Sequence, residues 1–165
     1  MSERAWIRGA QRGSVDDLEQ LFREHWPRAY RAALLVTRDS AAAEDIAQEA
    51  FLAAVRHLDR FDRRRPFGPW LHRIVVNRAI DWTRARRLRA ELELTEADAP
   101  AHGDEPAGAA FEHIGELSPE HRAVVVLRYV LDYTPGEIAE LIDLPRGTVN
   151  SRLRRGLDRL RELEA

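Results

Sequence analysis

At 165 residues, with no cysteine and every basic side chain an arginine, the chain has room for one ordinary domain or two small helical ones. The missing thiols exclude a disulfide framework, a thiolate zinc site and direct thiol redox sensing. The net charge of −2 hides an asymmetry that matters more for nucleic-acid binding than the average does: residues 1–90 carry 18 Arg against 12 acids, residues 91–120 nine acids and no Arg, and residues 121–165 eight Arg against seven acids.

The six histidines show no paired metal-ligand spacing. The N-terminal stretch MSERAWIRGAQRG has no apolar signal core, and no segment approaches the roughly 18 apolar residues of a membrane span. A cytoplasmic protein without metal or cofactor is expected.

Residues 1–90 read as a run of helices. Ser14 and Asp17 stand in capping-box spacing before Leu18, Leu21, Phe22, Trp26, Tyr30, Ala33 and Leu34, which recur at helical intervals. Pro27 marks a kink or a boundary in this segment. Ser40 is the expected N-cap of the next helix, with Ile46, Ala47, Ala50, Phe51, Ala54 and Val55 as its apolar face. Asp45, Gln48 and Glu49 share another face of that helix. A loop, DRFDRRRPFG, precedes a third helix from Pro69 to Ala90, with Trp70, Leu71, Ile74, Val75, Ala79 and Trp82 as core positions.

From Glu91 the chain becomes acidic and rich in Ala, Pro and Gly, the composition of a flexible linker. Helix resumes near Phe111, and Ser118-Pro119 is an N-cap followed by proline at the first helical position. Thr134-Pro135-Gly136-Glu137 is a full capping box, so a helix starts at Pro135. Asp143 falls where a sharp turn is needed, and Asp tolerates left-handed backbone. The last helix buries Val149, Leu153, Leu157 and Leu160. The whole predicts an all-α protein of two small helical domains, 1–90 and 111–165, joined by an acidic linker over 91–110, the second domain containing a helix-turn-helix.

The outward face of the last helix offers Arg146, Thr148, Asn150, Ser151, Arg154 and Arg155, with six Arg and one acid between Arg146 and Arg161. Arginine can bond guanine in two places, asparagine adenine, and serine either. A solvated basic face is the bland alternative, and this feature alone fits any small repressor or activator.

The front half narrows the choice. The stretch AEDIAQEAFLAAVRHLDRF with RPFGPWLHRIVVNRAIDWTRARRL resembles region 2 of bacterial sigma factors, and LSPEHRAVVVLRYV with GTVNSRLRRGLDRL resembles their region 4. Two such regions with a short linker look like the extracytoplasmic-function (ECF) class, over residues 14–163. The resemblance implies an alternative sigma factor that directs core RNA polymerase to promoters and has no active site of its own. Asp45, Gln48 and Glu49 then match positions that dock on the β′ clamp helices, with the β subunit also contacted. Phe61, Arg63, Arg64, Arg65, Phe67, Asn77, Arg78 and Arg84 match the elements that recognise and melt the −10 element. Aromatic surfaces and basic groups suit an unstacked single strand. Arg86, Arg87 and Arg89, with Arg84, are expected on phosphates, whereas Trp70 and Trp82 read as core. The last helix reads the −35 element. The resemblance also implies a cognate anti-sigma factor, and an acidic linker that threads the polymerase as a nucleic-acid mimic. Asn150 departs from the basic residue common at its position, and Asp143 from the usual turn glycine. A free-standing helix-turn-helix regulator and a sigma-like module that binds polymerase without initiating are the rival readings.

Overall fold

The computed structural model describes residues 1–93 and 111–165. Their regular structure is helical: α1 Glu3–Gln11, α2 Val15–Thr37, α3 Ser40–Arg56, α4 Phe67–Glu93, α5 Pro119–Tyr129, α6 Pro135–Leu141 and α7 Arg146–Glu164. Single 3-10 turns at Leu58–Arg60 and Ile114–Glu116 lead into α4 and α5.

Most helix starts follow the side chains that can cap them. The Ser14, Ser118 and Thr134 hydroxyls accept from the N–H three residues on, and Glu137 returns a bond to the Thr134 N–H. The cap of α3 is Asp39 rather than Ser40. Arg38 turns left-handed at φ 59°, which leaves Asp39 extended, and its carboxylate accepts from the Ala42 N–H at 2.9 Å. Helix α2 continues without a break through Pro27. That proline is exposed, where a carbonyl freed by its missing N–H can bond water.

Two elements differ from the sequence expectation. Helix α1 was not foreseen: one large side chain, Ile7, is fully buried, with Trp6 and Ala10 packed beside it, too few positions to show a period. Helix α4 begins at Phe67 and continues through Glu93, so Glu91–Glu93, expected in the linker, are helical. Leu and Glu are good helix formers, and acidity alone does not end a helix. The rest of the expected linker, 94–110, lies outside the described residues.

Helix α2 is the central post, with α1, α3 and α4 around it and α5 laid across α2 and α4; α6 and α7 pack on α5. Ala29, Ala32 and Ala33 of α2 have no exposed surface, which lets neighbours approach closely. The two helical units, α1–α4 and α5–α7, do not have separate cores. Their buried side chains form one cluster running from Ile7 through Val36, Leu71 and Val76 to Val124–Leu127, Ile138 and Leu153.

Candidate polymerase and promoter surfaces

On α3, Asp45, Gln48 and Glu49 are all exposed on one face, as their spacing requires. Gln48 donates to Glu44 at 3.4 Å, and Glu49 accepts from Arg78 of α4 at 3.0 Å. A residue expected on polymerase and one expected on DNA are thus an ion pair with each other. Beside the acids lies an apolar groove of about 380 Å³ lined by Leu18, Phe22, Gln48, Phe51, Leu52 and Val55. Val55, expected in the core, is instead 40 % exposed, and Leu52 55 %. Leu52 was not singled out, although it lies seven residues from Asp45 and so on the same face.

The loop after α3 is held from behind by α1. The Gln11 amide donates to the carbonyls of Leu58 and Phe61 at 2.8 and 3.1 Å, and the Glu3 carboxylate meets the His25 ring and the Phe67 N–H. Phe61 is half-buried and stacks on Trp70 at 4.6 Å between ring centroids. Phe67 is a correction: only 3 % exposed, it sits edge-on to both rings and against His25. It supports the aromatic surface and offers none of its own. Trp70, expected as core, shares with Phe61 the wall of an open cleft of about 770 Å³. Arg60, Arg65 and Arg73 line the same cleft. Arg73 was missed, yet it stands one turn past Trp70 and one before Asn77.

The remaining arginines are not equivalent. Arg63, Arg64 and Arg65 are exposed, and Arg64 grips Asp62 through two bonds of 3.0 and 3.1 Å, which holds that carboxyl below its ordinary range. Asn77 is half-buried on α4. Arg84 donates to Glu120 of α5 at 2.7 Å, and Arg86 bonds Asp39 at 3.0 Å while lying over the Trp82 ring. Arg86 is thereby tied to the capping residue of α3 rather than presented to a phosphate, whereas Arg87 and Arg89 are exposed.

In the second unit, Asp143 adopts φ 55° and the Leu144 N–H reaches back to the Ala139 carbonyl at 3.0 Å, making the tight turn between α6 and α7. Ile138 and Val149 are fully buried beneath it, and Leu153 nearly so. Leu157 and Leu160 are half-buried rather than core. Gly156 lets α7 approach α5: a Cβ there would lie 3.1 Å from Val125. The outward face of α7 presents Arg146, Asn150, Arg154 and Arg155 exposed, with Thr148 and Ser151 half-buried beside them. Among the described residues, none of these three arginines takes part in an ion pair, whereas Arg159 and Arg161 pair along the same helix. No cluster of metal-ligating side chains occurs among the described residues, and no helix there is long and apolar enough to cross a membrane.

The fold, two helical units with a helix-turn-helix in the second, is that of a sigma-70-type protein, and comparison with known proteins agrees. Residues 21–89 match the family model for sigma-70 region 2, and residues 114–162 that for sigma-70 region 4. The chain is 32 % identical to the ECF RNA polymerase sigma factor SigW of Bacillus subtilis, over 94 % of this chain and 93 % of that one. It is 34 % identical to the RNA polymerase sigma factor CarQ of Myxococcus xanthus, over 92 % and 91 %. Among solved structures, CnrH in complex with the cytosolic domain of CnrY aligns with a TM-score of 0.73 at 29 % identity, covering 98 % of this chain and 96 % of that one. The chain belongs to the ECF family of RNA polymerase sigma factors.

Proposed function

We propose that the exposed α3 face of Asp45, Gln48 and Glu49, with Leu52 and the groove beside it, docks this chain on core RNA polymerase. The cleft of Phe61 and Trp70, with Arg60, Arg63, Arg65 and Arg73, takes the opened −10 strand, while Asn77, Arg78 and Arg84 guide the backbone along α4. The α7 face from Arg146 to Arg155 reads the −35 duplex. The chain itself performs no catalysis; nucleotide addition belongs to the polymerase, and the complex works in the cytoplasm. Unpairing costs a few kcal/mol per extruded base, and aromatic stacking returns about 1–3 kcal/mol per base, so an aromatic cleft can hold strands apart without an energy source.

One observation carries the promoter reading: the helix-turn-helix presents on a single exposed face an asparagine and three arginines that form no ion pair among the described residues. Two or three bidentate contacts of about 1–3 kcal/mol each discriminate between sequences, yet they do not bind tightly on their own. Dependence on polymerase follows. CnrH is found in complex with the cytosolic domain of CnrY, which supports a protein partner for this chain, and the sequence resemblance makes an anti-sigma factor the partner to expect.

The test is run-off transcription with core polymerase and pooled genomic fragments. Discrete starts are expected, and Asp45→Arg/Glu49→Arg should abolish them together with core binding, while duplex binding by α7 is retained. Core binding without starts would leave a non-initiating module, and no core binding would leave a DNA-binding regulator.

A further inference from the structure

A strand whose bases enter the cleft of Phe61 and Trp70 has a backbone that must run on in both directions. Helix α4 offers one continuation, and the other neighbour of the loop is α1, which packs against the turn Leu58–Arg60. Gln11, the last residue of α1, donates to the Leu58 and Phe61 carbonyls at 2.8 and 3.1 Å, so the helix is tied to the segment that carries Phe61. At its other end Glu3 is bonded to the His25 ring and the Phe67 N–H, and between them Ile7 anchors α1 in the core. Helix α1 lies outside residues 21–89, the part that matches sigma-70 region 2.

The flank of α1 that carries Gln11 is basic. Arg8 and Arg4 stand three and seven residues before Gln11 and so share its face, and Arg12 follows on the turn that closes the helix. All three are exposed, as are Arg60, Arg63 and Arg65 of the loop. Among the described residues none of these six takes part in an ion pair. Glu3 is the only acid among residues 1–15 and is bonded to His25, while Asp62 is held by Arg64, which leaves Asp59 as the other acid of the loop. A solvated face is the ordinary fate of scattered arginines, but these are ordered along one line. Four residues of helix rise about 6 Å, comparable to the distance between successive phosphates of an unstacked strand. Uncompensated positive charge that adjoins a base-stacking surface is what a single-strand site requires.

We propose that Arg4, Arg8 and Arg12 form a phosphate track that takes the backbone of the opened promoter strand where it leaves the cleft of Phe61 and Trp70 on the side away from α4. Gln11 sets the distance between the two, because it bonds the backbone on either side of Arg60. Contacts to phosphate position a strand and carry no sequence information. The track therefore adds affinity and salt dependence, while selection among bases stays with the cleft. That the strand is promoter DNA rests on the sigma-factor reading; the track itself rests on the exposed arginines and the tie of α1 to the loop.

Anisotropy titrations of the full chain with labelled mixed-sequence single-stranded DNA of about 6 and about 14 nucleotides, at several salt concentrations, test this. The shorter strand fills the cleft and the longer one also reaches α1, so the longer should bind more tightly and with a steeper salt dependence. Arg4→Ala/Arg8→Ala/Arg12→Ala should weaken the longer strand about tenfold and lower its logarithmic salt slope by about two, at about 0.7 per lost phosphate contact. The shorter strand should bind as before, and the thermal midpoint should stay in place because all three side chains are exposed. Arg4→Lys/Arg8→Lys/Arg12→Lys keeps the charges and should keep the slope. An unchanged slope, an equal loss on both strands, or an equal loss on a blunt duplex of the longer length would overturn the proposal. Phe61→Ala tests the underlying reading separately: undiminished binding of the shorter strand would remove the cleft as the −10 site, whatever the α1 variant shows.

Discussion

His72 illustrates how one side chain can be a cost that the fold carries. It is 3 % exposed, bonded to Tyr133 through one nitrogen and unsatisfied at the other. Burial, and then the charges of Arg28 and His25, lower its pKa from 6.5 to about 4. The folded ring therefore refuses a proton that the exposed ring accepts below about 6.5. Stability from this residue is fully present above that pH and declines as pH falls toward about 4, by up to about 3 kcal/mol. Denaturant melts at pH 7 and near pH 5 should show this loss, and His72→Gln should flatten that part of the profile. Arg122 is the opposite case: burial lowers it to about 10, so it stays charged at neutral pH among four carbonyls. Among the described residues no carboxylate bonds it, and the carbonyls do the work of an anion.

At the scale of elements, the helix-turn-helix was legible because its signals are local. Thr134 to Glu137 cap α6, Asp143 supplies the left-handed turn, and apolar residues at helical intervals define the buried side of α7. What remains on the outside is the face proposed above to read the duplex. Arg154→Ala should weaken binding to a −35 duplex by about 1–3 kcal/mol and relax preference at one base pair if the guanidinium bonds a base. A phosphate contact would instead weaken all sequences alike and reduce the salt slope by about one. Titrations on matched and mismatched duplexes at two salt concentrations separate these. The loop proposed to meet the −10 element was less legible. Its aromatic and basic composition was visible, but burial of Phe67 beneath Phe61 and Trp70 depends on α1 and His25, which are remote in sequence.

For the whole molecule, the decisive feature is that two helical units share one core. Arg122 joins them through the Val36 carbonyl. Arg122→Met keeps most of the apolar stem but strips the buried carbonyls of their donor, and is expected to cost about 3 kcal/mol. Denaturant unfolding should report that loss as a lower midpoint. A retained midpoint would mean that each unit holds its own fold without the shared boundary.

The sequence by itself determined the helical class, the order of the units, most of the caps and the exposed faces of α3 and α7. These follow from 3.6-residue periods and from side chains acting three or four residues away, and the resemblance of the two motifs supplied the family. It did not determine which arginines are available. Arg78 is paired with Glu49, Arg84 with Glu120 and Arg86 with Asp39, across 29, 36 and 47 positions of chain. Nor did it show the His72–Tyr133 bond or the burial of Arg122, whose partners lie as many as 86 positions away. Such pairs have no period to betray them. They exist because burying the apolar faces of α2, α4 and α5 together brings those particular polar groups within bonding distance, and only the packed structure decides that.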